Sequence, residues 1–323
     1  TPRPLSQHKR PHPLTTSHQQ RDFMKNNPSI GLIGAGLMGI GIGESLLRNR
    51  FPLLVLAHKN RVNIEELKRK GASEADSITE LIKNSNVIIT CLPSIISVEE
   101  VYEGKNGIVQ NAAEGTVVID TTTSDPKLTR SLHAKAEHNG LHLIEAPLLG
   151  PPAKTKDGTI SVAVGGTEAD IEKALPILEA FTGNIFKAGG PGSGHTIKLI
   201  NNAVTLTNSA ILYETFSVAR KMGVDLDTLY QVLDTSMASS KRLHVIGPAL
   251  IHDDHEMRFA VDVATKDLVL YTEVAGKSGV PIVVGEAAKI QYRLSQSLGY
   301  GSENVTKIAT SLAELAGASF SNK

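Results

Sequence analysis

Short apolar runs alternate with helix-like patterns along the first part of the chain, from Ser29 to about Lys187. The apolar runs lie at 30–33, 53–56, 87–92, 117–119, 141–144 and 160–164. The helix-like stretches, with apolar residues three or four apart, lie at 64–70, 77–83, 98–101, 128–139 and 168–181. Strands that are apolar throughout and alternate with helices are typical of a parallel, doubly wound sheet. We therefore predict an α/β domain over residues 28–190.

The pattern changes after the glycine-rich segment at 189–194. Lys198 to Met222 is one long helical pattern that contains neither Pro nor Gly, and no convincing strand follows residue 190. Further helical patterns lie at 226–233, 264–276, 285–297 and 305–315. This change predicts a second, all-helical domain over residues 191–323, joined to the first through one long helix.

Residues 1–27 show no hydrophobic periodicity and hold no acidic residue before Asp22. They are rich in Pro, Ser, Thr, Gln, His and Arg, which favours a disordered leader with Met24 as a candidate start. A basic, hydroxyl-rich segment is also typical of an organelle transit peptide, but an amphipathic apolar face is missing. We expect a cytoplasmic protein, with an organelle matrix as the alternative if residues 1–23 are a transit peptide.

Charge and composition exclude several classes of function. The 323 residues carry 33 basic and 33 acidic side chains, so the formal net charge is zero. Nucleic acids and anionic membranes favour a basic excess, and no run of eighteen apolar residues offers a spanning helix. A single cysteine, Cys91, rules out an internal disulfide, and its place at the end of an apolar run indicates a buried hydrophobe.

The most informative motif directly follows the first predicted strand and opens onto a helical pattern. It reads Gly34-Ala35-Gly36-Leu37-Met38-Gly39. In such a turn the first glycine permits the tight bend, the second lets a pyrophosphate approach the backbone, and the third lets the helix pack on the strand. The helix N-terminus adds free N–H donors and a partial positive charge. The strand–turn–helix context predicts a dinucleotide site.

The end of the second strand bears on the choice of cofactor. Enzymes that select NAD usually hold the ribose 2′-hydroxyl with an acidic residue here, whereas NADP needs cations for its 2′-phosphate. Ala57 occupies the acidic position, and His58, Lys59 and Arg61 follow it. A solvated basic turn would look the same, but the missing acid and the added cations both favour NADP(H) over NAD(H).

Lys198 and Asn202 are candidate catalytic residues. They lie four apart, on one face of a helix that begins at the glycines Gly192 and Gly194. The positive end of the helix dipole and burial in a cleft both lower the pKa of an ammonium group. Such a lysine can exchange a proton with an alcohol–carbonyl pair, and Asn202 can orient it or the substrate. A surface Lys/Asn pair is the alternative.

A hydroxyl cluster follows the predicted strand 117–119. Thr122 and Thr123 stand at its carboxyl end, where they can donate to a carboxylate or to a nicotinamide amide. The same segment also predicts a helix start, with Ser124 or Asp125 as the N-cap before Pro126. Both interpretations can hold together.

We predict no metal site. The cluster at 252–256 contains His252, Asp253 and His255, but it lies in a helix–helix connection and lacks H-E-x-x-H spacing.

With these segments in order, the chain resembles the β-hydroxyacid dehydrogenase family of the 6-phosphogluconate dehydrogenase superfamily, from Ile30 to about Leu315. Four segments of the family are present. Gly34, Gly36, Met38 and Gly39 match its G-x-G-x-M-G segment, and Asp120, Thr122, Thr123 and Pro126 match its D-x-[ST]-[ST]-x-x-P segment. Gly192, Gly194, Lys198 and Asn202 match its G-x-G-x-x-x-K-x-x-x-N segment, and Lys266, Asp267 and Leu268 match its K-D-L segment. Leu92-Pro93, which closes a Rossmann strand near the cofactor ribose in the family, is also present.

The resemblance implies roles for several of these residues. It makes Lys198 the catalytic acid/base with Asn202 beside it holding the substrate. It places Thr122 and Thr123 near the nicotinamide and substrate, and it brings Lys266 over the cofactor from the helical domain. It also implies a Rossmann fold for the first domain.

One segment departs from the family pattern. The family's D-A-P-V-S-G-G loop, which holds the substrate carboxylate, reads here Glu145-Ala146-Pro147-Leu148-Leu149-Gly150-Pro151. Leu149 replaces the serine and Pro151 replaces a glycine, so one hydroxyl and one backbone donor are lost. We expect Leu149 and Gly150 to face a substrate whose tail is bulkier or less polar than usual.

Together these observations predict an NADP(H)-dependent oxidoreductase that interconverts a small hydroxy acid and its semialdehyde or keto acid. We expect a homodimer or homotetramer. An imine reductase shares the two-domain layout, but those relatives generally lack the lysine. The alternative that is not an enzyme is a dinucleotide-binding regulatory protein without turnover. The altered loop favours this alternative, whereas Lys198 and Asn202 argue against it.

Overall fold

A computed structural model describes residues 27–57 and 61–320. Within these residues nine strands form one sheet. The strands are β1 (Ile30–Ile33), β2 (Leu53–Leu56), β3 (Ser73–Ala75), β4 (Val87–Thr90), β5 (Val117–Asp120), β6 (His142–Glu145), β7 (Leu148–Leu149), β8 (Ile160–Gly165) and β9 (Thr182–Gly189).

The helices of the first half lie between the strands, and the alternation predicted all of them except the two short ones at 108–111 and 152–156. They are α1 (Gly39–Arg48), α2 (Val62–Arg69), α3 (Ile78–Lys83), α4 (Ile95–Glu103), α5 (Ile108–Asn111), α6 (Pro126–His138), α7 (Pro152–Lys156) and α8 (Glu168–Leu178). The second half contains α9 (Ser193–Met222), α10 (Leu226–Thr235), α11 (Leu243–Ile251), α12 (Val261–Gly276), α13 (Val283–Ser295) and α14 (Lys307–Leu315).

Six strands are parallel and follow the order β3-β2-β1-β4-β5-β6. Their register is direct: Ile33 pairs with Thr90, Thr90 with Asp120, and Asp120 with Glu145. The carboxyl ends of β1, β4, β5 and β6 therefore lie side by side, where open α/β sheets bind their ligands. Buried apolar clusters cover both faces of this sheet, which confirms the doubly wound fold.

The outer part of the sheet is mixed rather than purely parallel. β8 runs antiparallel to β6 and β7, and β9 runs parallel to β8. The apolar pattern did not indicate β3, β7 or β9. β3 holds the polar Ser73 and Glu74, β7 has two residues, and β9 is largely exposed, so none of the three presents a continuous apolar run.

The helical half packs around α9, which is 30 residues long and begins five residues before the predicted start at Lys198. Tyr213 and Phe216 on α9 meet Tyr292 on α13 in a separate buried cluster. The pattern did not indicate α11 because Gly247 and Pro248 interrupt it. No helix of the described residues combines the length and the hydropathy of a membrane span.

Candidate active site

The glycine turn connects β1 to α1, and each of its glycines meets a different constraint. Gly34 has a φ of 103°, and a Cβ there would lie 2.2 Å from the carbonyl oxygen of Cys91. A Cβ at Gly39 would lie 2.0 Å from the Gly34 oxygen. Around Gly36, chain neighbours aside, no heavy atom of the described residues lies within 4 Å of such a Cβ. Gly34 and Gly39 therefore fix the turn, and Gly36 keeps its approach open.

The start of α1 is suited to an anion. Its N-cap, Met38, makes no side-chain capping hydrogen bond within the described chain. The Ile40 N–H donates to the Gly36 oxygen at 3.0 Å, and the other N–H groups of the first turn offer donors to a ligand. Asn63 of α2 donates to the Ala35 oxygen at 2.8 Å and holds the turn from outside. Leu37 is exposed beside it. The open space at Gly36 and these N–H groups fit a dinucleotide pyrophosphate.

The loops after β4 and β5 are joined by hydrogen bonds. The Leu92 N–H donates to Thr122 Oγ1 at 3.0 Å, and Pro93 follows at the surface. The buried Asp120 carboxylate accepts from Thr90 Oγ1 at 2.9 Å and from the Thr122 N–H at 3.0 Å. Two segments that the sequence placed near the cofactor, 92–93 and 122–123, thus lie together at the carboxyl ends of the parallel strands.

Of the two candidate N-caps of α6, Asp125 is the one that the helix uses. Its carboxylate accepts from the Lys127 N–H at 2.6 Å. Thr123, two residues earlier, is half-buried at the same loop.

Lys198 lies against the loop after β6. Its Nζ donates to the carbonyl oxygen of Leu148 at 2.7 Å. Burial lowers the pKa of the Lys198 ammonium, and the charge of Lys266 lowers it further, while Asp267 acts in the opposite direction. A lysine with a lowered pKa releases and regains a proton more readily than a solvated one, as an acid/base group requires.

A polar network joins α9 to α12 beside Lys198. The buried Asn202 donates through Nδ2 to Asp267 Oδ2 at 2.7 Å. Lys266 Nζ lies 2.9 Å from Asp267 Oδ1. The structure therefore brings Asn202 and Lys266 together through Asp267, a residue that the sequence assigned no role. The K-D-L segment was the only signal that pointed to it.

His195 is a site residue that the sequence did not indicate. It is fully buried on α9, and its Nε2 donates to the Thr122 carbonyl oxygen at 2.9 Å. Its Nδ1 lies 2.7 Å from Thr129 Oγ1, whose hydroxyl also bonds the Asp125 carbonyl oxygen at 3.0 Å. His195 thus connects the helix of Lys198 to the loop of Thr122. A histidine 73 positions from its partner has no local signature.

The loop that departs from the family pattern lies at the lysine. Leu148 and Leu149 form β7 within this loop: Leu148 is buried and supplies the carbonyl that Lys198 contacts, whereas Leu149 is half-buried. Gly150 is exposed with a φ of 153°, a value that favours glycine, and Pro151 follows it at the surface.

The basic turn after β2 is described only in part. Ala57 is half-buried at its start, and His58 and Lys59 lie outside the described residues. Arg61 is paired with Glu65 at 2.8 Å and Glu74 at 3.0 Å. The Arg61 guanidinium is therefore engaged within the protein.

Cys91 behaves as a packed thiol. Burial raises its pKa to about 11, so it is protonated at neutral pH and a poor nucleophile. In the cluster 252–256, His255 uses both ring nitrogens, one with Asp253 at 2.7 Å and one with Thr306 at 2.8 Å. In the described part of the chain no group of three or more His, Cys, Asp or Glu residues is arranged for a metal.

Comparison with known proteins gives two family matches that together span most of the chain. Residues 29–190 match the NAD binding domain of 6-phosphogluconate dehydrogenase. Residues 192–312 match the NAD-binding domain of NADP-dependent 3-hydroxyisobutyrate dehydrogenase.

Individual relatives align over similar lengths. A probable mitochondrial 3-hydroxyisobutyrate dehydrogenase of Dictyostelium discoideum is 30% identical over 88% of this chain and 90% of its own. The 3-sulfolactaldehyde reductase of Escherichia coli is 29% identical over 90% of this chain and 97% of its own. The crystal structure of a Salmonella typhimurium 3-hydroxyisobutyrate dehydrogenase shares the fold, with a TM-score of 0.80, 24% identity, and coverage of 89% of this chain and 99% of that one.

Proposed function

We propose a specific activity for this chain, which belongs to the β-hydroxyacid dehydrogenase family of NAD(P)-dependent oxidoreductases that act on CH–OH groups. In this proposal the protein interconverts a small hydroxy acid and its semialdehyde or keto acid with NADP(H). Lys198 is the acid/base. The observation that carries the proposal is the place of Lys198. Its ammonium is half-buried at the loop after β6, with a lowered pKa and a hydrogen bond to Leu148.

When bound, the nicotinamide cofactor supplies or accepts the hydride. The residues of the protein bind the cofactor and the substrate, orient them and transfer the proton. The glycine turn and the start of α1 would hold the pyrophosphate, with Gly36 leaving room for it. Leu92 and Pro93 would lie at the ribose, and Thr122 near the nicotinamide. Lys266, whose Nζ lies 2.9 Å from Asp267 Oδ1, would close over the cofactor from α12.

Proton transfer is the task that we assign to Lys198. In the reducing direction the ammonium donates a proton to the substrate oxygen as the carbonyl becomes an alcohol, and in the oxidising direction the free amine takes it back. Asn202 is held by Asp267 through its Nδ2. Its Oδ1 already accepts from Asn201 Nδ2 at 3.3 Å, and the second lone pair of this oxygen would accept from the substrate or from Lys198. Thr123, Leu149 and Gly150 would line the rest of the substrate site.

The cofactor preference follows from the end of β2. Ala57 offers no carboxylate to a ribose 2′-hydroxyl, and it does not repel a 2′-phosphate. Since Arg61 is engaged with Glu65 and Glu74, we assign the phosphate to His58 and Lys59.

The loop after β6 sets the substrate class in this proposal. A leucine at 149 gives no hydrogen bond to a carboxylate, and the half-buried side chain instead presents apolar surface. We therefore propose an aldehyde or keto acid with a bulkier or less polar tail than those of relatives that carry serine here. Residues 28–190 would supply the cofactor domain and residues 191–323 the substrate and oligomerisation domain.

The test is oxidation of NADPH against a panel of C2 to C6 aldehyde and keto acids, repeated with NADH. We expect turnover of at least one panel member, with NADPH supporting it better than NADH. Equal or better rates with NADH would refute the cofactor assignment. Binding of NADPH without turnover of any panel member would instead favour a regulatory protein that has kept the fold.

A further inference from the structure

A carboxylate that the proposed chemistry does not use is buried beneath the start of α9. Glu145 ends β6 and is fully buried. Its Oε1 accepts from the Gly192 N–H at 2.6 Å and from the Gly194 N–H at 3.2 Å. Its Oε2 accepts from Nε2 of the buried His133, on α6, at 3.1 Å. Every one of these contacts is to another element, so Glu145 ties α6 and β6 to the helix that carries Lys198.

Two glycines provide the space that this carboxylate fills. Gly165 pairs with Glu145 across β8 and β6, and a Cβ there would lie 2.1 Å from Glu145 Oε1. A Cβ at Gly194 would lie 2.9 Å from Glu145 Cγ. A larger residue at Gly165 would force the carboxylate to move, and one at Gly194 would press on both Glu145 and the Ala163 carbonyl oxygen, 2.4 Å from such a Cβ.

The segment from Glu145 to Leu148 contacts α9 at two points. The Glu145 carboxylate holds the N-terminus, and the Leu148 carbonyl oxygen accepts from Lys198 Nζ at 2.7 Å. Gly194 and Lys198 are separated by about 6 Å of rigid helix at 1.5 Å per residue. A shift of the helix start is therefore transmitted to the lysine, and a misplacement of about 1 Å can cost roughly a hundredfold in rate.

We propose that Glu145 is a positioning residue for Lys198: it fixes where α9 begins relative to the end of β6, and so where the ammonium lies. This inference rests on the proposed function, because it requires Lys198 to be the acid/base. The carboxylate also complements the positive end of the α9 dipole, which adds attraction to the two backbone hydrogen bonds.

The experiment compares Glu145→Gln, Glu145→Ala and a control by single-turnover oxidation of NADPH with the best substrate of the panel. Gln keeps an oxygen for both N–H groups but loses the charge, and we expect the rate to fall by about threefold to tenfold. Ala loses every contact, and we expect a fall of about a hundredfold. The dissociation constant for NADPH should change by less than about twofold in both variants, because neither contacts the glycine turn.

The matched control is Asp170→Asn. Asp170, on α8, also forms a carboxylate–histidine pair, with His142 at 2.7 Å, but this pair is partly exposed and α8 does not carry Lys198. We expect this variant to change the thermal midpoint and leave the single-turnover rate within about twofold of the original enzyme. If Glu145→Gln also lowers only the midpoint and leaves the rate unchanged, the positioning role is refuted. Because Gln is close in size to Glu, the rate of the Glu145→Gln variant tests the positioning role even if the Ala variant does not fold.

A double variant separates this inference from the proposed function. If Glu145 acts through Lys198, Glu145→Gln should change the residual rate of the Lys198→Ala enzyme by less than about twofold. A full additional loss in that background would show that Glu145 does not act through the lysine. Lys198→Ala with nearly full activity would overturn the proposed function itself, and the role of Glu145 would fall with it.

Discussion

Replacing Gly36 with alanine should separate the stability of the protein from its affinity for the cofactor. Gly36 is exposed between β1 and α1, and its φ lies outside the left-handed range. An added Cβ would meet no heavy atom of the described residues within 4 Å, chain neighbours aside. Where alanine fits without strain, it stabilises a protein by about 0.4–1 kcal/mol, because the unfolded chain loses conformational freedom.

The same methyl group would occupy the space through which a pyrophosphate approaches the backbone. Loss of one charge-assisted hydrogen bond costs about 1.5–3 kcal/mol, which corresponds to an increase of roughly 10- to 150-fold in the dissociation constant. The two effects have opposite signs. The free energy of unfolding without cofactor should stay equal or rise slightly, while NADPH binding weakens by at least tenfold.

Denaturant unfolding of the free protein and fluorescence titration with NADPH measure the two quantities. Gly276→Ala is the control, because Gly276 also has open space around it but ends α12 in the helical half. It should leave NADPH affinity unchanged. If Gly36→Ala binds NADPH within twofold of the original protein, the pyrophosphate does not approach this glycine and the assignment of the turn is wrong.

Four further predictions concern the catalytic and substrate residues. Lys198→Ala should lower turnover by about 10²–10⁴-fold while NADPH still binds; near-normal turnover measured under saturating conditions would mean that the acid/base is another group. Because burial lowers the pKa of Lys198 and reduction needs the ammonium, the reductive rate should fall as pH rises through a value below 10.5, whereas the oxidative rate rises through it. Asp267→Asn should move the pH profiles of both the reductive and the oxidative rate to lower pH, since the charge of Asp267 raises the pKa of Lys198. A shift to higher pH would contradict the assigned influence of Asp267 on Lys198. Leu149→Ser should lower KM for succinic semialdehyde or glyoxylate by about tenfold, with Pro151 limiting the gain; an unchanged KM would place the loop away from the carboxylate.

Local pattern alone predicted much of the first half of the fold. The strands at 30–33 and 53–56 have the predicted bounds, because buried parallel strands are apolar throughout and each ends at a turn. The roles of Gly34 and Gly39 were also local, since tight turns and close packing are required within a few residues. Where the chain lacked such a signal, as in β9 and in α11 with its internal proline, prediction failed.

The site depended on contacts between residues far apart in sequence. Lys198 and Asn202 were indicated by their spacing, but the carbonyl of Leu148 that receives the lysine is 50 positions away. Asp267 is 65 positions from Asn202, and Glu145 is 47 from Gly192. Spacing within one helix predicts which side chains share a face, but not which strand end or second helix that face will meet.

The sequence by itself determined the dinucleotide turn, the alternation of strands and helices, and the candidate acid/base, because each depends on interactions within a few residues. Only the tertiary structure decided the order of the strands, which aligned the ends of β4, β5 and β6, and the contacts of Glu145 and His195 beneath α9. A buried polar group must find its partners wherever the fold brings them, and for these residues the partners lie on other elements.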